Sequence, residues 1–314
     1  QHYVNITGEE LGRIGSAGGI ASTLLIHGIG LPPVVNFSND EIKEQVIPAV
    51  LSGEQRISLG ITEPSGGSDV ANIKTTAKKE GDFYIVNGSK TFISGGMGAN
   101  WVSTAVRTGD EGAAGVSMLL IPMDLEGVSR TPLTKKQGWL CSDTATLYFD
   151  NVKVPAKYLI GKEGQGFRVI MNNFNSERLA MVVSMEASSR CCLEEAVNWA
   201  RERETFGSRL AEHQVIRHKI ATMKQRINAT QAYLLHLTQA YIEGRIHPGD
   251  LAMLKVQASE TMEFCAREAS QILGGASYLR GSKVERIYRE VRVNAIGGGS
   301  EEIMRDLAAS QYKL

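Results

Sequence analysis

The spacing of apolar positions changes twice along the chain and divides it into three stretches. Residues 1–58 carry short helical patches, broken by Gly and Pro around 28–33. Ser38-Asn39-Asp40-Glu41 then offers a capping side chain and an acidic first turn to a further helix. From 59 to 160, short runs rich in β-branched and aromatic residues take over. Residues 83–86, 91–93, 101–106, 116–121 and 146–149 read as strands, and Asn87-Gly88 predicts a two-residue hairpin. Strands this short, parted by Gly-rich turns, predict a small β-barrel or sandwich. From 161 to 314 the period is helical. The fold class expected is therefore α+β: an N-terminal helical domain (1–58), a central β-barrel domain (59–160) and a C-terminal four-helix bundle (161–314).

Three apolar stripes define the bundle. Ile216, Ile220, Met223, Ile227, Thr230, Leu234, Leu237 and Tyr241 alternate steps of four and three. Leu251, Leu254, Ala258, Met262, Cys265, Ala269 and Ile272 form a second run, which Gly274-Gly275 stops. Phe167, Ile170, Phe174, Met181 and Met185 form a third. The methionines read as core filler. One residue interrupts the third stripe: Glu177 lies three after Phe174 and four before Met181. A carboxylate there is costly unless it is paired or used. Pairing with Arg178 or a neighbouring helix is the plain alternative. Glu186 is nine residues on, which at about 100° per residue points it to the opposite face, so only one of the two acids is expected to look into the bundle.

Composition removes several classes of function. Lys plus Arg and Asp plus Glu are 34 each, so the formal net charge is zero and no nucleic-acid footprint exists. No apolar run approaches the ~18 residues of a membrane span. The four cysteines and six histidines lack metal-ligand spacing, so no metal is expected. Reduced thiols point to an intracellular protein: cytoplasmic, or of the mitochondrial matrix if the source is eukaryotic. The chain opens at Gln1 in what already reads as helix, without a signal or transit segment, and an N-terminus that is incomplete is the expectation.

Gly60-Ile61-Thr62-Glu63-Pro64-Ser65-Gly66-Gly67-Ser68-Asp69 is the most distinctive segment. Backbone N–H groups and hydroxyls in such a loop can receive a polar heterocycle or a phosphate. The loop resembles the Thr-Glu-Pro-x-x-Gly-Ser-Asp signature of the acyl-CoA dehydrogenase family. The resemblance continues in order: Phe92-Ile93-Ser94 is similar to the family's Trp-Ile-Thr strand, Arg203-Glu204-Thr205-Phe206-Gly207 to Arg-x-x-Phe-Gly, Gln271-Ile272-Leu273-Gly274-Gly275 to Gln-x-x-Gly-Gly, and Gly297-Gly298-Gly299-Ser300-Glu301-Glu302-Ile303 to Tyr-Glu-Gly-Thr-x-x-Ile.

That resemblance implies an FAD enzyme that oxidises an acyl-CoA thioester to the trans-2-enoyl-CoA. Leu59, Ile61, Thr62, Gly67 and Ser68 would border the flavin, with Thr62 near its pyrimidine ring and Ser68 also reaching the CoA side. Phe92 would flank the flavin, and Ser94 would place its hydroxyl near N5. Arg203, Thr205, Phe206 and Gln214, with Gln271, Gly274 and Gly275, would hold adenine and pyrophosphate across a subunit interface. Ser300 and Glu302 would close over the cofactor. Asn175, Arg178 and Gly299 would line the substrate. A homotetramer and an electron-transferring flavoprotein as acceptor are implied as partners.

The chain departs from the usual pattern where most members keep their catalytic carboxylate. Gly298 stands there and cannot accept a proton, although its backbone N–H can still serve the thioester oxygen. A branch of the family that includes isovaleryl-CoA and long-chain acyl-CoA dehydrogenases supplies the base from a Glu-Arg-Leu motif, and Glu177-Arg178-Leu179 resembles it. Glu177 is thus the expected base. Three glycines also predict free volume beside the reacting carbons, hence tolerance of branched acyl groups. The alternatives are an oxygen-using acyl-CoA oxidase or flavin monooxygenase on the same fold and, in another class, a non-catalytic binding protein.

Overall fold

The computed structural model describes residues 1–14 and 18–314; residues 15–17 of the helical stretch expected over 1–58 lie outside the described part. The architecture is α+β, with N-terminal helices, a central β domain and a C-terminal helical bundle. Two compact units divide the chain. One comprises Ile20–Lys136 and Leu140–Phe174; the other comprises Gln1–Gly19, Gln137–Trp139 and Asn175–Leu314.

Among the described residues, five helices come first: α1 (His2–Arg13), α2 (Gly18–Leu24), α3 (His27–Gly30), α4 (Pro32–Phe37) and α5 (Asp40–Leu51). Of the two capping candidates before α5, Asn39 does the work, its side-chain oxygen accepting from Ile42 N at 3.0 Å. Eight strands follow: β1 (Ile57–Gly60), β2 (Thr76–Glu80), β3 (Phe83–Ser94), β4 (Trp101–Arg107), β5 (Val116–Pro122), β6 (Val128–Pro132), β7 (Thr144–Pro155) and β8 (Leu159–Ile160). Their order is β6-β7-β3-β2-β4-β5-β8, with β1 beside β4. β4 changes partner along its length: β1 runs parallel to its first half, and β2 meets it only at Arg107. β4 and β5 are buried on both faces, so their residues do not alternate between core and solvent, and Ser103, Thr104 and Ser117 are buried with the apolar ones.

Asn87-Gly88 does not make the expected hairpin. β3 runs straight through it, and the chain reverses instead at Gly81-Asp82 between β2 and β3. Gly88 sits at a register shift of the β3–β7 pair with φ 143°, and a Cβ there would stand 2.6 Å from Thr75 Oγ1. The glycine serves a bulge and a close approach, the other use of glycine inside a strand.

The helical unit holds α6 from Asn175 onward (the helix spans Gly166–Glu202), the ribbon of β9 (Glu204–Thr205) and β10 (Ser208–Arg209), and then α7 (Gln214–Ile242), α8 (Pro248–Leu273), α9 (Lys283–Ile296) and α10 (Glu301–Gln311). The α7 stripe buries Met223, Ile227, Thr230, Leu234 and Leu237, and every residue of the α8 stripe is buried. Fully burying one such side chain stabilises by about 1.5–3 kcal/mol. Gly274, with φ 60°, ends α8 as its position predicts. α1 packs on α6 through glycines: a Cβ at Gly12 would stand 2.6 Å from the Ala187 side chain.

Candidate active site

Glu177 is half-buried as a residue, but its Oε2 is closed to solvent and has no hydrogen-bond partner. Burial pushes its carboxyl up to about 7, against the opposing charge of Arg178. Arg178, itself buried, donates from Nε to Gly298 O at 3.1 Å. Glu186, expected on the opposite face of α6 from Glu177, is covered on its own side. Glu186 is 2% exposed, because α1 covers that side of α6. It differs from Glu177 in having a partner. Arg190 Nε donates to its Oε2 at 3.1 Å, and Arg190 also pairs with Glu9 at 2.6 Å.

The glycine turn between α9 and α10 faces this stretch of α6. Its carbonyls are anchored by cations from two helices: Arg178 holds Gly298 O, and Lys255 Nζ on α8 holds Gly299 O at 2.7 Å and Ala295 O at 3.2 Å. Lys255 is fully buried, and burial lowers its ammonium to about 8. One turn further along α8, Ser259 Oγ donates to Glu301 Oε1 at 2.6 Å. The N–H of Gly298 donates to no described residue. Gly298 and Gly299 have φ of 67° and 104°, a conformation that suits glycine. The free volume expected beside them is not there. A Cβ at Gly298 would stand 2.7 Å from Met181 Sδ, so the thioether already fills that slot.

In the β unit, Glu63 is the keystone of the loop that follows β1. Its carboxylate accepts from Thr75 N at 2.8 Å, Lys74 N at 2.6 Å and Lys90 Nζ at 2.8 Å, and Lys90 also reaches Ile61 O at 3.1 Å. Burial alone would raise this carboxyl; the Lys90 ammonium and the N–H donors more than offset it and hold it near 2. The pair fixes the backbone of Ile61 and Thr62, whose carbonyl accepts from Thr91 N at 2.8 Å. Leu59 is half-buried on β1, while Gly67 and Ser68 are exposed. Phe92 is 69% exposed with φ 58°, at a second register shift of β3. An aromatic ring held outward in a left-handed conformation is costly without a ligand to receive it. Ser94 is half-buried, and its hydroxyl has no partner among the described residues.

The remaining candidates fall into separate groups on the helical unit. Phe206 sits at the tip of the β9–β10 ribbon with φ 53° and is fully exposed. Its ring meets His213 edge-on, and Thr205 Oγ1 lies 3.4 Å from His213 Nε2. Arg203 and Gln214 flank this ribbon, exposed. Gln271, Gly274 and Gly275 lie exposed at the end of α8, and a Cβ at either glycine would meet nothing within 4 Å. Ser300 caps α10, its hydroxyl accepting from Ile303 N, and Glu302 is exposed on that first turn. Asn175 is half-buried beside Glu177. On the β unit alone, the outward Phe92 ring and the Ser94 hydroxyl, which has no partner among the described residues, fit a flat polar heterocycle such as the flavin of FAD. Among the described residues no cluster could hold a metal, and no helix is long and apolar enough to cross a membrane.

Lys90, Met181 and Lys255 were not singled out by sequence reasoning. Lys255 had the same signal as Glu177: four after Leu251 and three before Ala258, it interrupts an apolar stripe.

The acyl-CoA dehydrogenase middle domain matches residues 58–152, and the acyl-CoA dehydrogenase C-terminal domain matches 164–313. The acyl-CoA dehydrogenase AFT10-1 of Alternaria alternata is 39% identical, covering 98% of this chain and 73% of its own length. The mitochondrial long-chain specific acyl-CoA dehydrogenase of Mus musculus is 33% identical over 90% of this chain and 66% of its own. A solved structure described as a probable acyl-CoA dehydrogenase from Mycobacterium abscessus superposes with a TM-score of 0.95 at 42% identity, over 98% of this chain and 82% of that one. The chain belongs to the acyl-CoA dehydrogenase family and is an acyl-CoA dehydrogenase enzyme.

Proposed function

We propose that this enzyme converts an acyl-CoA thioester to the trans-2-enoyl-CoA, with Glu177 as the base that takes the α-proton. The observation that carries the reading is the Glu177 carboxylate: buried, without a hydrogen-bond partner, and brought by burial to about 7. A base works best with a pKa near the operating pH, and enzymes reach that value for Glu by burial. Gly298 offers its free N–H to the thioester oxygen, where negative charge develops as the proton leaves. One such donor is worth about 3 kcal/mol. Arg178 and Lys255 keep that turn in place through its carbonyls, and Asn175, Arg178, Gly299 and Ser68 complete the substrate contacts.

FAD, when bound, supplies the acceptor for the β-hydrogen, which leaves as hydride. Leu59, Ile61, Thr62, Gly67, Ser68 and Phe92 would hold its flavin, and Ser94 would hydrogen-bond near N5. Arg203, Thr205, Phe206, Gln214, Gln271, Gly274 and Gly275 would hold its adenine and pyrophosphate, with Ser300 and Glu302 closing over it. The full exposure of Phe206 on one copy favours a site shared between copies, and hence a homotetramer in which flavin binding and assembly are coupled. The electron acceptor in this reading is an electron-transferring flavoprotein. The compartment is the cytoplasm, or the mitochondrial matrix in a eukaryote.

The test is Glu177→Gln in the flavin-loaded enzyme. It should keep its yellow colour and bind acyl-CoA, yet lose bleaching of the flavin by substrate by at least a hundredfold. Bleaching at near-normal rate would exclude Glu177 as the base.

A further inference from the structure

Glu177 and Met181 are four residues apart on α6, so they share one face of the helix. Helical side chains lean toward the N-terminus, which lays Met181 over the turn that carries Glu177. Across from it stands the glycine turn. Met181 Sδ lies 2.7 Å from the place of a Cβ at Gly298, and its Cε lies 3.8 Å from a Cβ at Gly297. The thioether thus takes the room that a side chain at Gly298 would use.

The two walls of this slot differ in stiffness. The turn is tied down by Arg178 on Gly298 O, Lys255 on Gly299 O and the Ser300 cap of α10. Met181 is unbranched, only half-buried, and held by packing alone. Any group that needs space beside the Glu177 carboxylate must displace Met181, because the backbone opposite cannot retreat. A thioether can swing aside, but a displaced one loses its contacts, so each occupant is charged for its bulk.

We propose that Met181 is the specificity-determining residue for substitution at the acyl α-carbon: its thioether fills the room vacated at Gly298 and selects against α-branched acyl groups. This rests on the reading that Glu177 takes the α-proton of an acyl-CoA. Tolerance of branching then depends on the residue facing the glycines, not on the glycines themselves.

The experiment compares kcat/KM for straight-chain and 2-methyl-branched acyl-CoAs of matched length, butanoyl and octanoyl, in wild type, Met181→Ala, Met181→Val and Met181→Leu. One methylene of fit in an apolar pocket is worth about 10- to 200-fold. Met181→Ala should therefore raise the branched-to-straight ratio by at least about tenfold. Met181→Val should move it the same way, which keeps the test alive if the alanine variant fails to fold. Met181→Leu, nearly equal in volume, should leave the ratio within about threefold. The pH profile of kcat/KM should stay put in Met181→Leu, which keeps the cover over Glu177. An unchanged ratio in flavin-loaded, active Ala and Val variants overturns the assignment of Met181 alone. If wild type bleaches with no acyl-CoA, or Glu177→Gln bleaches as fast as wild type, the parent reading falls and this one with it.

Discussion

Glu177→Gln should make the protein more stable while it destroys the activity, and the gain should grow with pH. The carboxyl stands at about 7 in the folded protein against an ordinary 4.5. At about 1.4 kcal/mol per pH unit, that gap is worth about 3 kcal/mol. The sign follows from which state holds the proton more tightly. With its pKa raised on folding, Glu177 adds stability in full below pH 4.5 and loses it as the pH rises through 7. Glutamine keeps the neutral form at every pH. The two proteins should therefore converge toward pH 5, and the variant should lead by about 3 kcal/mol at pH 9.

At roughly 2 °C per kcal/mol for a protein of this size, the lead amounts to about 6 °C in Tm. Thermal unfolding of both flavin-loaded proteins across pH 5 to 9 reads it directly, with substrate bleaching measured on the same samples. A variant of equal or lower Tm at pH 9, or a difference that ignores pH, would refute the reasoning: it would mean that the carboxylate has a charged partner in the folded protein.

Two further outcomes follow from other parts of the molecule. Lys90→Met leaves the Glu63 carboxylate buried without its cation; the loss should be about 3–5 kcal/mol, read by denaturant unfolding, and a loss under 1 kcal/mol would show that the backbone donors suffice. Phe206→Ala removes a fully exposed ring, so stability of the flavin-free chain should stay within about 0.5 kcal/mol, while FAD retention through gel filtration falls; unchanged retention would remove Phe206 from the cofactor site.

Much of this site was legible as disturbance in a pattern. An acid inside an apolar stripe marked Glu177, and the same disturbance on α8 marks Lys255. Periodicity tells which face a residue takes, and faces were read well on α7 and α8. It does not tell what covers the opposite face: the pattern puts Glu186 opposite Glu177 but does not show that α1 buries it there. Asn87-Gly88 has the local chemistry of a hairpin, but the pairing of β3 with β7 on one side and Thr75 on the other overrules it. The space beside Gly298 could not be read from three glycines, because whether a vacancy is open depends on Met181, 117 positions away in the sequence.

The two acids of α6 show why partnership, more than burial, separates a structural carboxylate from a chemical one. Glu186 is the more deeply buried of the two, yet Arg190 holds it, and Glu9 shares that cation. A carboxylate so engaged gives up a hydrogen bond and an ion pair in order to accept a proton. Glu177 gives up nothing, since its Oε2 has no donor. The turn opposite repeats the logic with inverted sign. Its carbonyls are spoken for by Arg178 and Lys255, while the Gly298 N–H is left over. Buried polar groups are normally satisfied, so the solvent-closed Glu177 Oε2 asks for a ligand. Beside the glycine turn, the Glu177 Oε2 acceptor and the Gly298 N–H donor are without partners among the described residues, while the turn's carbonyls are held. The proposed reaction would use both, the acceptor for the proton that leaves carbon and the donor for the charge that gathers on the thioester oxygen.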